Sequence, residues 1–586
     1  MQPPIADYAL IGDTRTAALC SKSGSIDWLC LPRFDSDPVF SRLIDDSGPH
    51  FTLRPVGNAE VERRYEGSST VLETTYRLDT GVVRLREGMV SDLSAGLLPQ
   101  VLLVRDLECL SGQADIAVTF DLRPGLPGRE LRCEHRHGGL VLVDGSLAIS
   151  LCSAPALDLK PGRSRDVAMR SGERLTFALS VAHREPLVTV EPAHALRLLN
   201  ETRAWWEKWA EEIEYSGAHR DAVVRSLVTL RLLTYSPSGA PVASPTTSLP
   251  ERLGGERNWD YRYAWPRDAS IGISGFLGAG KKPECHAFLN WLVHASRLSR
   301  PQLGVLYNLD GRDGPKEHEM VGLSGYRGSL PVRRGNGASG QLQLDVYGWV
   351  VAAVAELSRS EELNNEVMGM VRDFADYVCE NWRRPDAGIW ERRNDERHWV
   401  HSKLMAWLTL DRALEVAPQK ASQNNRQRWT RERIALAEEI VRSGWDPLRQ
   451  TYLRSYGSTD LDASLLSPPL FAFEKDPQRL ETTVQAIRDE LGTGGPLLYR
   501  YRRAEAEREG AFLPCSFWLV QALTRLGRID EAETLFAEAC GLANDVGLLP
   551  EEIDPETGEF LGNFPLAFTH ATLVQAALDL EEATRK

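Results

Sequence analysis

The chain has 586 residues, more than one ordinary core holds, since domains usually run to about 100–200 residues. Hydrophobic residues make up 42% and charged residues 26%, which excludes a disordered or fibrous polymer. A formal net charge of -14 argues against nucleic acid as a partner and suits a neutral or small polar ligand.

The chain opens MQPPIADYALIGD, without a basic region or an apolar run, so no secretory leader is expected. No stretch approaches the roughly 18 uninterrupted apolar residues of a membrane span, so no membrane partner is expected either. Residues 1–195 read as an antiparallel β-sandwich. Short apolar runs, VLLV (101–104), GLVLV (139–143) and LTFALSV (175–181), alternate with Gly, Asp and Pro. Asp144-Gly145 between two such runs predicts a hairpin turn. Nine cysteines (Cys20, Cys30, Cys109, Cys133, Cys152, Cys285, Cys379, Cys515, Cys540) form no CxxC, zinc spacing or disulfide framework. Scattered reduced thiols point to a cytoplasmic protein.

The pattern changes at about residue 196. ALRLLNETRAWWEKWAEEI (195–213) has helical spacing and predicts a linker helix over 196–217. From 218 to 586 one helical stripe follows another, about twelve in all, including 222–235, 340–358, 402–416, 511–527 and 567–583. Four connections are long and rich in Gly, Trp and Arg: 236–266, 299–340, 383–401 and 544–566. Long ordered loops are usually functional. About twelve antiparallel helices with such loops on one side predict an all-α toroid that gathers the loops around one pocket.

Three of those stretches carry chemistry. In GGERNWDYRYAWPRDA (254–269), Arg267 and Asp268 offer a fork of donors beside a bidentate acceptor, which can hold two neighbouring hydroxyls of a sugar. An isolated Arg-Asp pair is more often a salt-bridged helix start. The aromatic crowding of Trp259, Tyr261, Tyr263 and Trp265 favours the sugar. In DAGIWERRNDERHWVHSKLMAW (386–407), Glu391 follows Ile389-Trp390, and apolar neighbours raise a carboxyl pKa as a general acid needs. Its bland alternative is a surface ion pair with Arg392 or Arg393. In VGLLPEEIDPETGEFLGNFPLAFTHATL (546–573), Glu551 and Glu552 follow an apolar turn, and either carboxylate could activate water, although five acidic residues within 551–559 also fit a solvated loop. Paired carboxylates are the requirement of glycoside hydrolysis, with roughly 6.5–9.5 Å between them when water attacks with inversion. No GxGxxG, Walker A or HExxH occurs, so neither cofactor nor metal is called for.

These stretches, in order and spacing over nearly the whole chain, resemble the inverting exo-α-glucosidases of glycoside hydrolase family 15, which include glucoamylases, glucodextranases and bacterial and archaeal trehalases. GDTRTAALCSKSGSIDWLCLPRFDS (12–36), GYRGSLPVRRGNGASGQLQLDVYG (325–348), STDLDASLL (458–466) and EGAFLPCSFWLVQAL (509–523) add to the resemblance. It implies a β-sandwich, a linker helix and a catalytic (α/α)6 barrel. It assigns the catalytic acid to Glu391 and the base to Glu551, with Glu552 as second choice. It assigns the terminal glucose to Trp265, Arg267 and Asp268, stacking to Trp390, and a weaker contribution to Tyr326, Arg327 and Gln343. The chain departs from the family at Tyr347-Gly348-Trp349, where relatives read YGE. Trp349 then either narrows the outer pocket or simply packs. The two-domain layout favours α,α-trehalose as substrate, with maltooligosaccharides or α-glucan ends as the alternative. A glycoside phosphorylase ranks below both, because it has no use for Glu551. A non-catalytic sugar-binding relative would have lost one carboxylate. Self-association is left open.

Overall fold

The computed structural model describes residues 2–91, 99–122, 132–136, 139–393, 395–416, 422–502 and 509–585. Among the described residues, fourteen strands between Tyr8 and His183 pair antiparallel throughout. They form two sheets that share the strand Val101–Asp121. Its first half pairs with Gly81–Met89 and Arg174–His183, its second with His50–Pro55 and Ser164–Arg170. Gly112, at φ 68, lies where the strand passes from one sheet to the other. The sheets close on an aromatic core, in which Phe51 meets Phe120 edge-on at 5.3 Å and Phe177 of the other sheet at 5.4 Å. Arg105, fully buried, pairs with Glu87 at 2.7 Å and donates to the carbonyls of Phe51 and Gly24, tying sheet to sheet. In the hairpin Gly139–Asp144/Leu147–Ala154 the turn is Gly145-Ser146, one residue later than the sequence suggests. The left-handed turn position falls to Gly145, at φ 57, and Asp144 stays paired in the strand.

Helix α1 (Pro192–Glu211) joins the two parts. Its Ala195, Leu198 and Leu199 pack on Val71, Leu102, Val104 and Ala178 of the sandwich. Its last turn meets the helical part, where Trp209 donates to Glu284 at 2.9 Å.

Twelve further helices follow among the described residues: α2 (Arg220–Leu232), α3 (Pro266–Gly278), α4 (Lys282–Ala295), α5 (Asp345–Ser358), α6 (Asn365–Asn381), α7 (Val400–Val416), α8 (Gln423–Gly444), α9 (Pro468–Phe473), α10 (Pro477–Leu491), α11 (Leu513–Arg525), α12 (Ile529–Cys540) and α13 (Ala567–Arg585). The odd-numbered ones from α3 to α13 pack each on the next, and α13 returns to α3, so the inner ring is closed. The even-numbered helices lie outside. Inner helices such as α11 are buried on nearly every residue, whereas outer α8 buries only Trp429, Leu436, Ile440 and Gly444. This difference is the broad-stripe versus narrow-stripe pattern of an (α/α)6 toroid.

Two helices begin later than their apolar spacing suggests. The 340–358 stretch becomes helical only at Asp345, because the Leu344 amide donates to buried Asp386 at 2.9 Å and Gln341 turns its side chain to the carbonyl of Glu391 at 3.1 Å. The 511–527 stretch starts at Leu513, because Ala511-Phe512 forms a short strand against Glu552-Ile553. No described helix is long and apolar enough to cross a membrane.

Candidate active site

All four long loops meet at the N-terminal ends of the inner helices, around a cavity of about 280 Å³, near the low end of small-ligand sites. Trp265, Arg267, Asp268, Trp390, Glu391 and Glu551 all line it.

Trp265 caps α3, and Pro266 fixes the first turn, so Arg267 and Asp268 enter the cavity from the helix start. The Arg267 guanidinium is buried. Its Nε donates to Asp268 Oδ1 at 2.7 Å, Nη1 to the Ile389 carbonyl at 3.0 Å and to Gln343 Oε1 at 3.4 Å, and Nη2 to Glu391 Oε1 at 3.4 Å. Gln343 thus stands behind Arg267 and is not among the cavity-lining residues.

Glu391 sits in a turn, its amide bonded to the Gly388 carbonyl and its own φ at 54. A non-glycine residue in that region carries backbone strain, which clusters at functional sites. Trp265 Nε1 donates to Glu391 Oε1 at 2.9 Å. Burial raises the Glu391 pKa, Arg267 opposes that rise, and Asp268 adds to it. Next to it, Trp390 anchors its indole N–H on Asp462 at 2.9 Å and packs edge-on against Phe512 at 5.4 Å.

Glu551 precedes the central strand of a three-stranded sheet, Ala511-Phe512, Glu552-Ile553 and Phe560-Leu561. Strand alternation sends neighbouring side chains to opposite faces. The Glu551 carboxylate accepts from Tyr261 OH at 2.9 Å and from the Asn563 amide at 2.8 Å. Glu552 turns away from the cavity, accepting from Arg500 Nη2 and from the Gly510 amide, both at 2.8 Å. Arg500 Nη2 also reaches Glu251 at 3.1 Å and Glu509 at 2.8 Å. Glu251, Glu509 and Glu552 have the spacing of metal ligands, within 4.8 Å of one another, but one guanidinium nitrogen already bonds to all three. Burial raises both Glu551 and Glu552, and Glu251's charge adds to each. Arg500 opposes the rise of both groups, and the two donors on Glu551 oppose it further there.

Tyr261 links the two halves, its hydroxyl on Glu551 and its ring edge-on to Trp265 at 5.5 Å, while Trp265 in turn holds Glu391. Tyr261 lies in the quoted 254–269 stretch, but its pairing with a residue 290 positions later has no local signature. Nor has the Arg500–Glu251 pair, 249 positions apart. Trp259 is the third such residue. It lies between the guanidiniums of Arg333 and Arg393, at 4.6 and 4.1 Å from its ring, on the rim of the cavity.

Two further sequence expectations fall elsewhere. Tyr326 and Arg327 are not among the lining residues. Tyr326 OH donates to the Pro3 carbonyl at 2.8 Å, and the Arg327 amide donates to Gln2 Oε1 at 2.6 Å. Of the two readings of Trp349, packing fits the structure and a narrowed outer pocket does not. Trp349 lies one turn into α5 and lines a separate cavity of about 530 Å³, bounded by later turns of the inner helices at the other mouth of the toroid.

A sandwich joined to a closed (α/α)6 toroid, with Glu391 and Glu551 on one loop-built cavity, is the plan of a glycoside hydrolase. A family model described as "Glycosyl hydrolases family 15" matches residues 217–578, and one described as "Trehalase-like, N-terminal" matches residues 1–162. The chain belongs to glycoside hydrolase family 15. It is 34% identical to a trehalase of Mycolicibacterium smegmatis, over 99% of this chain and 92% of that one. It is 31% identical to a trehalase of Thermoplasma volcanium, over 100% and 94%. A bacterial glucoamylase solved with acarbose shares the fold, with a TM-score of 0.73 at 14% identity over 98% of this chain and 94% of that one.

Proposed function

We propose that this protein is an inverting α,α-trehalase, with Glu391 as general acid and Glu551 as general base. The observation that carries the reading is the pair of buried carboxylates on one cavity, each oriented by directed hydrogen bonds. Glu391 is pushed toward its protonated form, beside an aromatic and a guanidinium that fix its direction. Glu551 is held by two donors, which favour the anion. Glu391 protonates the bridging oxygen as the glucosyl C–O bond breaks. Glu551 takes a proton from a water that attacks the anomeric carbon from the opposite face. The attacked sugar leaves as β-glucose and the other as α-glucose, and the two proton transfers balance.

Trp265, Arg267 and Asp268 hold the reacting glucose, Trp390 stacks near it, and Gln343 steadies Arg267. Trehalose as substrate is supported by relatives named trehalase that match this chain end to end at about one-third identity. A cytoplasmic setting is supported by nine cysteines, all unpaired.

The test is a panel of trehalose, maltose, isomaltose and starch, with the product anomers read by NMR. Trehalose should be the best substrate, and β- and α-glucose should appear in equal amounts before mutarotation. Preference for maltose or starch would make the enzyme a glucoamylase-type hydrolase. Release of glucose 1-phosphate would make it a phosphorylase, and α-glucose alone would exclude inversion.

A further inference from the structure

The loop that carries Glu551 is gripped from outside the toroid. Asn544 opens that loop. Its side-chain oxygen accepts from the amides of Val546 and Leu548, at 3.2 and 2.9 Å, which shapes the turn. Its side-chain nitrogen donates to the carbonyls of Ala6 and Tyr8, at 3.1 and 2.8 Å, at the edge of the sandwich. Asp545 is held by Arg63, a sandwich residue whose side chain is fully buried, through two parallel bonds of 3.0 and 2.5 Å. Arg63 also donates to the Asp7 carbonyl at 2.7 Å, so one guanidinium joins the chain's opening segment, a sandwich strand and the loop.

The far end of the same loop is tied to the same segment. Glu559 pairs with Arg327 at 3.2 Å, and the Arg327 amide is bonded to Gln2. Between these ties the loop has little freedom. The Leu549 amide donates to His570, Thr569 donates to the Pro550 carbonyl, and the Leu513 amide donates to the Glu551 carbonyl.

We propose that residues 2–8 and Arg63 of the sandwich act as a positioning device for Glu551, setting where its carboxylate stands across the cavity. This rests on the reading of Glu551 as the base. A bidentate pair with a buried guanidinium specifies direction as well as contact. Arg267, Trp265 and Asp268 have no part in this grip on the Glu551 loop.

The experiment compares Arg63→Ala, Arg63→Lys, Asn544→Ala and Asn544→Asp in the full chain. Asn544→Asp keeps the acceptor that shapes the turn and turns the donor to the sandwich into an anionic oxygen facing the same two carbonyls. Binding-competent sites are counted by calorimetric titration with glucose, and turnover is expressed per competent site. Turnover on trehalose should fall about tenfold or more in Arg63→Ala and Asn544→Asp with KM held within about threefold, because small displacements of a reacting group cost rate rather than binding. Arg63→Lys should recover part of the loss.

Unchanged turnover per site in both Arg63→Ala and Asn544→Asp overturns the proposal, and so does a loss that lies in KM or only in the number of competent sites. Glu551→Gln is measured alongside. If that variant stays active, the base assignment fails. If it is dead while Arg63→Ala and Asn544→Asp turn over normally, only the positioning role fails.

Discussion

Glu391 and Glu551 reach the same cavity from different loops, each buried and each raised by that burial. Replacing either by Gln keeps the shape and removes the proton chemistry, so each variant should lose about 10³-fold or more in kcat on trehalose while its folded spectrum is unchanged. Near wild-type turnover in either would remove that residue from its role. Glu552→Gln should keep measurable turnover, because Glu552 faces Arg500 and not the cavity. On the proposed roles, activity needs Glu551 ionised and Glu391 protonated, and both groups are raised. As pH falls, Glu551 takes up a proton, so the acid limb of kcat/KM should lie above the ordinary carboxylate value of about 4.3. As pH rises, Glu391 loses its proton, so the alkaline limb should also lie above that range. A pH profile with its acid limb at or below the ordinary value would contradict this. Arg267→Ala removes the fork that holds the reacting sugar, so trehalose and maltose should suffer alike in kcat/KM, and a selective loss would count against a shared glucose subsite.

At the scale of single elements, turn geometry places the chemistry. The short sheet that presents Glu551 closes at Gly562, where φ is 72 and an added Cβ would stand 2.3 Å from Glu551 Oε2. Gly562→Ala should therefore push the carboxylate aside and lower kcat about tenfold or more with the helical content unchanged, measured by steady-state kinetics and far-UV dichroism. In the sandwich, the strand shared by both sheets depends on Arg105 and Glu87. Glu87→Ala leaves a buried guanidinium uncompensated, which should destabilise the domain by about 3–5 kcal/mol, read as the midpoint of its denaturant transition. A shift of less than about 1 kcal/mol would mean that water replaces the lost partner.

Over the whole molecule, local periodicity carried the helices well, because each inner or outer helix has a stripe its own residues define. α7 (Val400–Val416) and α13 (Ala567–Arg585) lie where apolar spacing puts them. Ring closure had no such trace, since it depends on α13 meeting α3 across roughly 300 residues. The site divides the same way. Arg267, Asp268 and Glu391 sit in compact motifs, whereas Tyr261 under Glu551 and Arg500 among three carboxylates are assembled by the fold from distant segments. Tyr326 and Arg327 were weaker candidates on the family resemblance alone, and their hydrogen bonds go to the opening segment.

The meeting of α13 with α3 also sets an order of events during synthesis. The ribosome releases α13 after every other wall of the cavity, and His570 and Thr569 on that helix pin the loop just ahead of Glu551. A nascent chain lacking it has the Glu551 loop without those two bonds and the cavity without its last wall, so on the proposed roles full turnover waits for the ring to shut.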